Sequence, residues 1–485
     1  MILGIDQGTT GSTAVILNQK GQIRGKATAA VPQHFPRAGW VEHDPRQIMN
    51  SIAHAVSGAI TRAKINPNKI EVIGVTNQRE TVSLFEGRKA LHRFIVWQDR
   101  RTATQCQSMP ATKKRMIERK TGLPIDPYFS SSKIQWLMKE LKISKKRDIR
   151  FRTIDSFLLQ EMTGQDVTEM TNAHRTQLVD LQKRDWSPEL FESFGIPRHF
   201  APKIIPSEGM NLKTKALSFL PEGIPIQAVL GDQQAALFGQ VGWKPGTGKM
   251  TYGTGSFILV NTGEKPVLSK HRLASTIALQ WKNGKTLYAL EGSSFVCGAW
   301  IQWLRYQLGL FRESKNSEDL ARRVKDSQGV FVIPALAGMG APFWEPRLRG
   351  QIIGLTRGVG KEEVALASLE ALCFQNRALI DAILKDSKQK KIHWRVDGGA
   401  STNNLLMQIQ ADVLQQSIVR PKSFEATAVG VGLLAAHSKR ILSLKQIEAL
   451  WKKDRDFHPV RSHQKKYQNL YEEWFSWIQN CPKSR

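Results

Sequence analysis

A strand, a Gly-Thr turn and a second strand occur twice in this chain, once in each half, and no other feature narrows the possible folds as far. At the N-terminus Gly4-Ile5-Asp6 leads through Gln7-Gly8-Thr9-Thr10-Gly11-Ser12 into the apolar run 14–17. In the second half 249–252 and 256–260 read as strands joined by Gly253-Thr254-Gly255. Glycines in such a turn expose backbone N–H groups and threonine adds a hydroxyl, a set of donors that can cradle an anion. Two ordinary hairpins would explain the turns. They do not explain why an aspartate stands at the strand end in one unit and just upstream of the other, so an internal repeat is expected.

The second aspartate, Asp232, follows the apolar run 226–230 and Gly231, and 233–240 then reads as a short helix. Ligands of α/β folds collect at the carboxyl ends of strands, where rigid elements hold the backbone. Asp232 therefore reads either as the cap of its helix or as a carboxylate presented to a ligand. Beyond it, Gly242-Trp243-Lys244-Pro245-Gly246-Thr247-Gly248 carries no periodic pattern and reads as a hinge. It divides the chain into 1–243 and 244–485.

With 485 residues the chain is too long for one compact core, and two large domains are expected. Cys106, Cys297, Cys373 and Cys481 lack metal or redox spacing and read as free thiols of a reducing cytosol. No signal peptide is read, and no apolar run reaches the ~20 residues of a membrane span, so a cytoplasmic location is expected. Lys and Arg number 70 against 42 Asp and Glu, a net charge of +28 that attracts anions at long range. The excess is dispersed, with short clusters at 113–115, 145–147 and 388–391 that lack interleaved aromatics. No specific nucleic-acid partner is expected.

Along the chain, Asp44-Pro45 opens a helix as N-cap and first-turn proline. The strand 71–76 ends in Asn77-Gln78-Arg79-Glu80, the run 94–97 leads into Gln98-Asp99-Arg100-Arg101, and 124–133 reads as an irregular polar loop. Each could be a surface loop; gathered around Asp232 they would alternate donors and acceptors, as recognition of a small polyol requires. The segment 362–384 is a long helix, apolar around much of its circumference and expected between the domains. Tyr467, Leu470, Tyr471, Trp474 and Ile478 form a helical stripe expected to pack onto the second domain.

D-Q-G-T-T at 6–10, G-W-V-E-H-D-P at 39–45, T-N-Q-R-E at 76–80, G-D-Q-Q-A-A-L-F-G-Q at 231–240 and V-D-G-G-A at 396–400 stand in the order and spacing of the FGGY carbohydrate kinases. From residue 4 to about 474 the chain resembles the glycerol-phosphorylating members of that family. The resemblance implies an α/β fold of two actin-like (RNase H-like) domains around a central cleft. Residues 1–243 would carry the glycerol site and first phosphate loop, and 244–485 the second phosphate loop and adenine site. It implies transfer of the γ-phosphate of ATP to glycerol, giving sn-glycerol 3-phosphate, with Asp232 as general base and Mg²⁺ held by Asp6 and Asp232. A carboxylate suits that role, because phosphoryl transfer needs mainly positioning, charge neutralisation and a base aligned on the nucleophile. Arg79, Glu80, Tyr128, Asp232 and Gln233 would hydrogen-bond the three hydroxyls, and Trp97 and Phe257 would lie against the carbons. Thr9, Thr10, Gly11, Ser12 and Thr254 would meet the phosphates, and Gly298, Gln302, Gly399 and Asn403 the rest of the nucleotide.

The Arg-Glu pair after T-N-Q separates the chain from relatives that act on xylulose, ribulose, fucose or gluconate. The other readings are a family member acting on another polyol or ketose, and a nucleotide-binding regulator without turnover. Two departures from the family pattern stand out. Gly11 and Thr13 replace its usual serine and arginine, which implies weaker ATP binding. The segment 211–220 lacks the glycine-rich, arginine-containing loop by which some members bind fructose 1,6-bisphosphate, so that regulation is not expected. A homo-oligomer is left open.

Overall fold

In the computed structural model, which describes residues 1–480 apart from 146, 337, 346, 390, 423 and 424, both strand-turn-strand units are antiparallel hairpins within mixed sheets. The first joins Ile2–Gln7 to Gly11–Leu17 and the second Thr247–Tyr252 to Ser256–Gly263. Each hairpin gains a further antiparallel strand, Ile23–Ala30 or Thr286–Ser294. On its other side each gains two parallel strands, Val72–Asn77 then Pro225–Gly231 in the first half, and His393–Asp397 then Ile418–Pro421 in the second. The shared order is the internal repeat expected from the two turns.

Parallel neighbours require long crossovers, and helices supply them. Pro45–Ala63 begins as expected, the Asp44 carboxylate accepting from the backbone of Arg46 at 2.8 Å. Lys361–Ser387 is the long helix read at 362–384, and Glu363 reaches back to the Gly360 N–H at 2.8 Å. Its expected place between the halves is corrected by its contacts. Ser368 accepts from the Trp300 indole at 2.9 Å and Gln375 from Ser294 at 2.5 Å, so the helix belongs to the core of the second half. An element that does cross is Ala426–Ser438, which follows the strand Ile418–Pro421 of the second sheet in sequence yet packs on the strands of the first. Glycines allow this: a Cβ on Gly430 would lie 2.2 Å from Ala235 O, and one on Gly74 2.3 Å from Val431 O. Both helices are apolar around much of their circumference, so periodicity alone could not say which one lay between the halves.

The C-terminal helix Gln464–Asn480 buries Tyr467, Tyr471, Trp474 and Ile478 against the second half as read, with the Trp474 indole donating to Val332 O at 2.8 Å. Cys106, Cys297 and Cys373 are free and buried, whereas Cys481 lies outside the described residues, as do Lys146 and Lys390 of the basic clusters. Among the described residues no helix is long and apolar enough to cross a membrane.

Candidate active site

Asp232 is the first residue of the helix Asp232–Gly239, and the cap position belongs to Gly231, which has no side chain to offer. The capping alternative therefore falls away. Asp232 Oδ1 accepts from the Gln233 backbone N–H at 2.7 Å and stands 3.1 Å from Arg79 Nε; Oδ2 accepts from Gln233 Nε2 at 3.1 Å. The side chain remains 28% exposed, within reach of a ligand.

Arg79 and Glu80 lie on the link between Val72–Asn77 and Val82–Glu86, Glu80 in the left-handed region at φ 61°. Arg79 donates to Glu291 Oε2 at 2.6 Å and Oε1 at 2.9 Å, and Arg175 bridges Glu80 and Glu291. All four side chains are buried. Burial alone would push the Glu291 carboxyl up, but the guanidiniums of Arg175 and Arg79 outweigh it and hold it down at about 2. Because Glu291 stands on Thr286–Ser294, this ion cluster joins the two halves.

Aromatic rings stand beside this cluster, the Arg175 guanidinium lying 5.5 Å from the centre of the Tyr128 ring. Trp97 meets Phe257 at 6.1 Å and Tyr128 at 5.7 Å between ring centres, and its indole donates to the Thr9 hydroxyl at 2.8 Å. Tyr128 is held from beneath by Lys133, which donates to its carbonyl at 2.6 Å and whose ammonium is pushed down by burial to about 8. The expected loop 124–133 is thus corrected at its end. Ser130–Glu140 is a helix whose first turn is buried, Ser130 donating to Glu80 O at 2.9 Å. A run of three serines and a lysine reads as solvated; here its polar groups are satisfied inside the protein.

Arg79 and Gln233 are thus each paired with Asp232, Glu80 is tied to Arg79 through Arg175 and Glu291, and Tyr128 and Phe257 both meet Trp97. The neighbouring cluster 98–101 does not join them: Arg101 clasps Asp99 and Glu42, each at 2.8 Å, and covers the Trp40 ring at 3.8 Å, a structural latch.

Thr254, Gly298, Gln302, Gly399 and Asn403 line a single cavity of about 430 Å³ in the second half. The first turn lies on the facing hairpin, where Thr9 and Thr10 keep exposed surface and Gly11 closes the turn by accepting from Gly8 N at 2.9 Å. Ser12 needs correction, because its hydroxyl is buried in a 2.6 Å bond with Ser51 and does not face the cleft. A wider cavity of about 900 Å³, edged by Lys114 and Arg272, takes in Arg100 of the cluster 98–101 and 124–127 of the run 124–133, but none of the residues assigned to glycerol or to ATP.

Asp6 Oδ1 is buried and has no hydrogen-bond partner among the described residues. Its carboxyl is pushed well above the usual range by burial, then by the negative charges of Asp232 and Glu425. Such a group calls for a cation. Among the described residues no group of three or more acidic, histidine or cysteine side chains is placed to hold a metal ion.

The family models for the N-terminal and C-terminal domains of the FGGY family of carbohydrate kinases match residues 1–239 and 248–438. The chain belongs to that family. It is 46% identical to a glycerol kinase of Bdellovibrio bacteriovorus, covering 94% of each chain, and 43% identical to one of Thermococcus gammatolerans, covering 98% of this chain and 96% of that one. The structure resembles glycerol kinase of Plasmodium falciparum with ADP at a TM-score of 0.89, with 31% identity over 99% of this chain and 97% of the other. Xylulose kinase of Lactobacillus acidophilus shares the fold at a TM-score of 0.88, 22% identity and the same coverage. The fold is accordingly the α/β, two-domain, actin-like architecture of the FGGY kinases.

Three residues of this FGGY kinase site escape a reading of the sequence: Arg175, Glu291 and Lys249. Lys249 carried a local signal, a charged residue in the middle of a strand that is otherwise buried. Arg175 and Glu291 carried none. Thr13, where the family's arginine is missing, pairs its hydroxyl with Thr28 across the sheet at 3.0 Å.

Proposed function

We propose that this FGGY kinase transfers the γ-phosphate of ATP to glycerol to give sn-glycerol 3-phosphate. The observation that carries the reading is near full-length identity of 46% and 43% to proteins named glycerol kinase; the polyol-sized set of Arg79, Glu80 and Asp232 agrees with it. Residues 1–243 contribute the glycerol side and the first phosphate turn, and 244–485 the second turn and the nucleotide cavity.

Asp232 takes the proton of the attacking hydroxyl while Arg79, Glu80, Tyr128 and Gln233 hold the hydroxyls and Trp97 and Phe257 cover the carbons. The backbone of Gly11, the hydroxyls of Thr9 and Thr10, and Thr254 meet the phosphates. Gly298, Gln302, Gly399 and Asn403 hold the rest of ATP. Asp6 and Asp232 would hold Mg²⁺, which would neutralise phosphate charge. Closing the aromatic wall over the substrate excludes water, which would otherwise compete as acceptor.

The reading is tested by ADP release from Mg-ATP with glycerol and a panel of pentuloses and polyols. Glycerol is expected to have the highest kcat/KM. A pentulose turned over faster would make the protein a kinase of that sugar, and no release with any acceptor would leave a nucleotide-binding protein without turnover.

Thr13→Arg is expected to tighten ATP binding by about 1.5 to 3 kcal/mol, the worth of a charge-assisted hydrogen bond, with little change in the KM for glycerol. Calorimetric titration with ATP checks it. Unchanged affinity would mean that another cation already serves the phosphates.

A further inference from the structure

Lys249 has no role in the chemistry above, yet its position is costly. It stands mid-strand in Thr247–Tyr252, wholly removed from solvent, where an unpaired ammonium is penalised by several kcal/mol. Its direct partners are neutral. It donates to Gln233 Oε1 and, at 2.7 Å, to Thr251 Oγ1. The charges facing it are Asp397, Asp232 and Glu291, opposed by Arg79.

The two neutral partners extend into a continuous chain. Gln233 donates from Nε2 to Asp232 Oδ2 at 3.1 Å, and Thr251 donates to Asp397 Oδ1 at 2.5 Å. Asp397 Oδ2 is fixed in turn by Gln240 Nε2 at 2.8 Å. One end of the chain, Asp397, stands two residues before Gly399, which lines the nucleotide cavity. The other end is the carboxylate of Asp232.

Donor chemistry explains why a lysine is needed in the middle. An amide can present either its oxygen or its nitrogen, whereas an ammonium is a donor only. With Lys249 donating to Oε1, the NH₂ of Gln233 must face Asp232. Oδ2 then receives a hydrogen bond, and the remaining lone pairs of the carboxylate are left for an incoming hydroxyl. If the amide turned over, its oxygen would repel Asp232 and displace it.

We propose that Lys249 is a positioning residue for phosphoryl transfer, locking the Gln233 amide so that Asp232 is held in its working orientation and tying that orientation to the second half through Thr251 and Asp397. The inference rests on the reading of Asp232 as the base.

Lys249→Met, measured with glycerol and Mg-ATP, is expected to lower kcat by about 10²-fold, the usual cost of a small misplacement of a reacting group. KM for both substrates should stay within about threefold, as for an interaction used only in the transition state. Gln233→Ala and the double variant complete the cycle. If Lys249 acts through Gln233, the double variant is no slower than the slower single one; fully multiplicative losses would overturn the proposal. Should Lys249→Met fail to fold, Thr251→Val retains the ammonium and is expected to lower kcat about 10-fold, and a wild-type kcat in that variant would overturn the proposal. Wild-type kcat in Lys249→Met beside an inactive Asp232→Asn would sink this inference alone. An active Asp232→Asn would sink the reading beneath it.

Discussion

Asp232→Asn is expected to bind glycerol and ATP and to lose turnover by ~10² to 10⁴-fold, the range of general-base assistance. The amide keeps the shape of the carboxylate and can still accept from the Gln233 N–H, a bond of 2.7 Å in the wild type, but it cannot take a proton. Binding should survive because Arg79 keeps its two bonds to Glu291. Stability should change little, since Gly231 and not Asp232 caps the helix and a first-turn charge is worth only ~0.3 to 1 kcal/mol through the helix dipole. Measuring kcat together with ligand-induced thermal shifts on this one variant separates the outcomes. Activity within a few-fold of wild type would remove Asp232 from the mechanism.

Glu291→Gln is expected to destabilise the protein by about 3 to 5 kcal/mol, the cost of removing one partner from a buried ion pair. Arg79 and Arg175 would stay buried with Glu80 as their one remaining buried carboxylate, and the joint between the halves would lose its charged centre. Glycerol affinity should fall with it, because the bonds to Glu291 hold the Arg79 guanidinium in place. The pH dependence adds a signature. The Glu291 carboxyl is depressed from an ordinary 4.5 to about 2, so its stabilisation is fully present above 4.5 and is lost as pH falls toward 2. The stability gap between wild type and variant should therefore be constant near neutrality and close across that acid window. Equal stability at pH 7 would show that the cluster does not hold the halves together.

Much of this site could be read from the linear chain, because local chemistry encodes it. Gly253-Thr254-Gly255 and its counterpart at 8–11 specify turns by their glycines, and the apolar runs on either side specify strands, so the internal repeat was legible. The polar clusters at strand ends, Arg79-Glu80 and Asp232-Gln233, follow from where an apolar run stops. The final helix announced its buried face through tyrosine, tryptophan and isoleucine at helical spacing.

Other features depended on closure of the chain in three dimensions. Glu291 lies 212 residues from Arg79, and nothing in either neighbourhood names the partner. The buried serines at the start of Ser130–Glu140 read as a loop, because polarity in sequence does not say whether water or protein satisfies the hydroxyls. Ser12 reads as a phosphate ligand until Ser51 is found against it. Ala426–Ser438 and Lys361–Ser387 are both apolar around much of their circumference, and only the backbone contacts at Gly74 and Gly430 reveal which one crosses to the first sheet. Periodicity and turn residues are local quantities and the sequence determined them outright; the pairing of buried charges and the choice between equally apolar faces are decided by which surfaces meet, and the tertiary structure alone decided those.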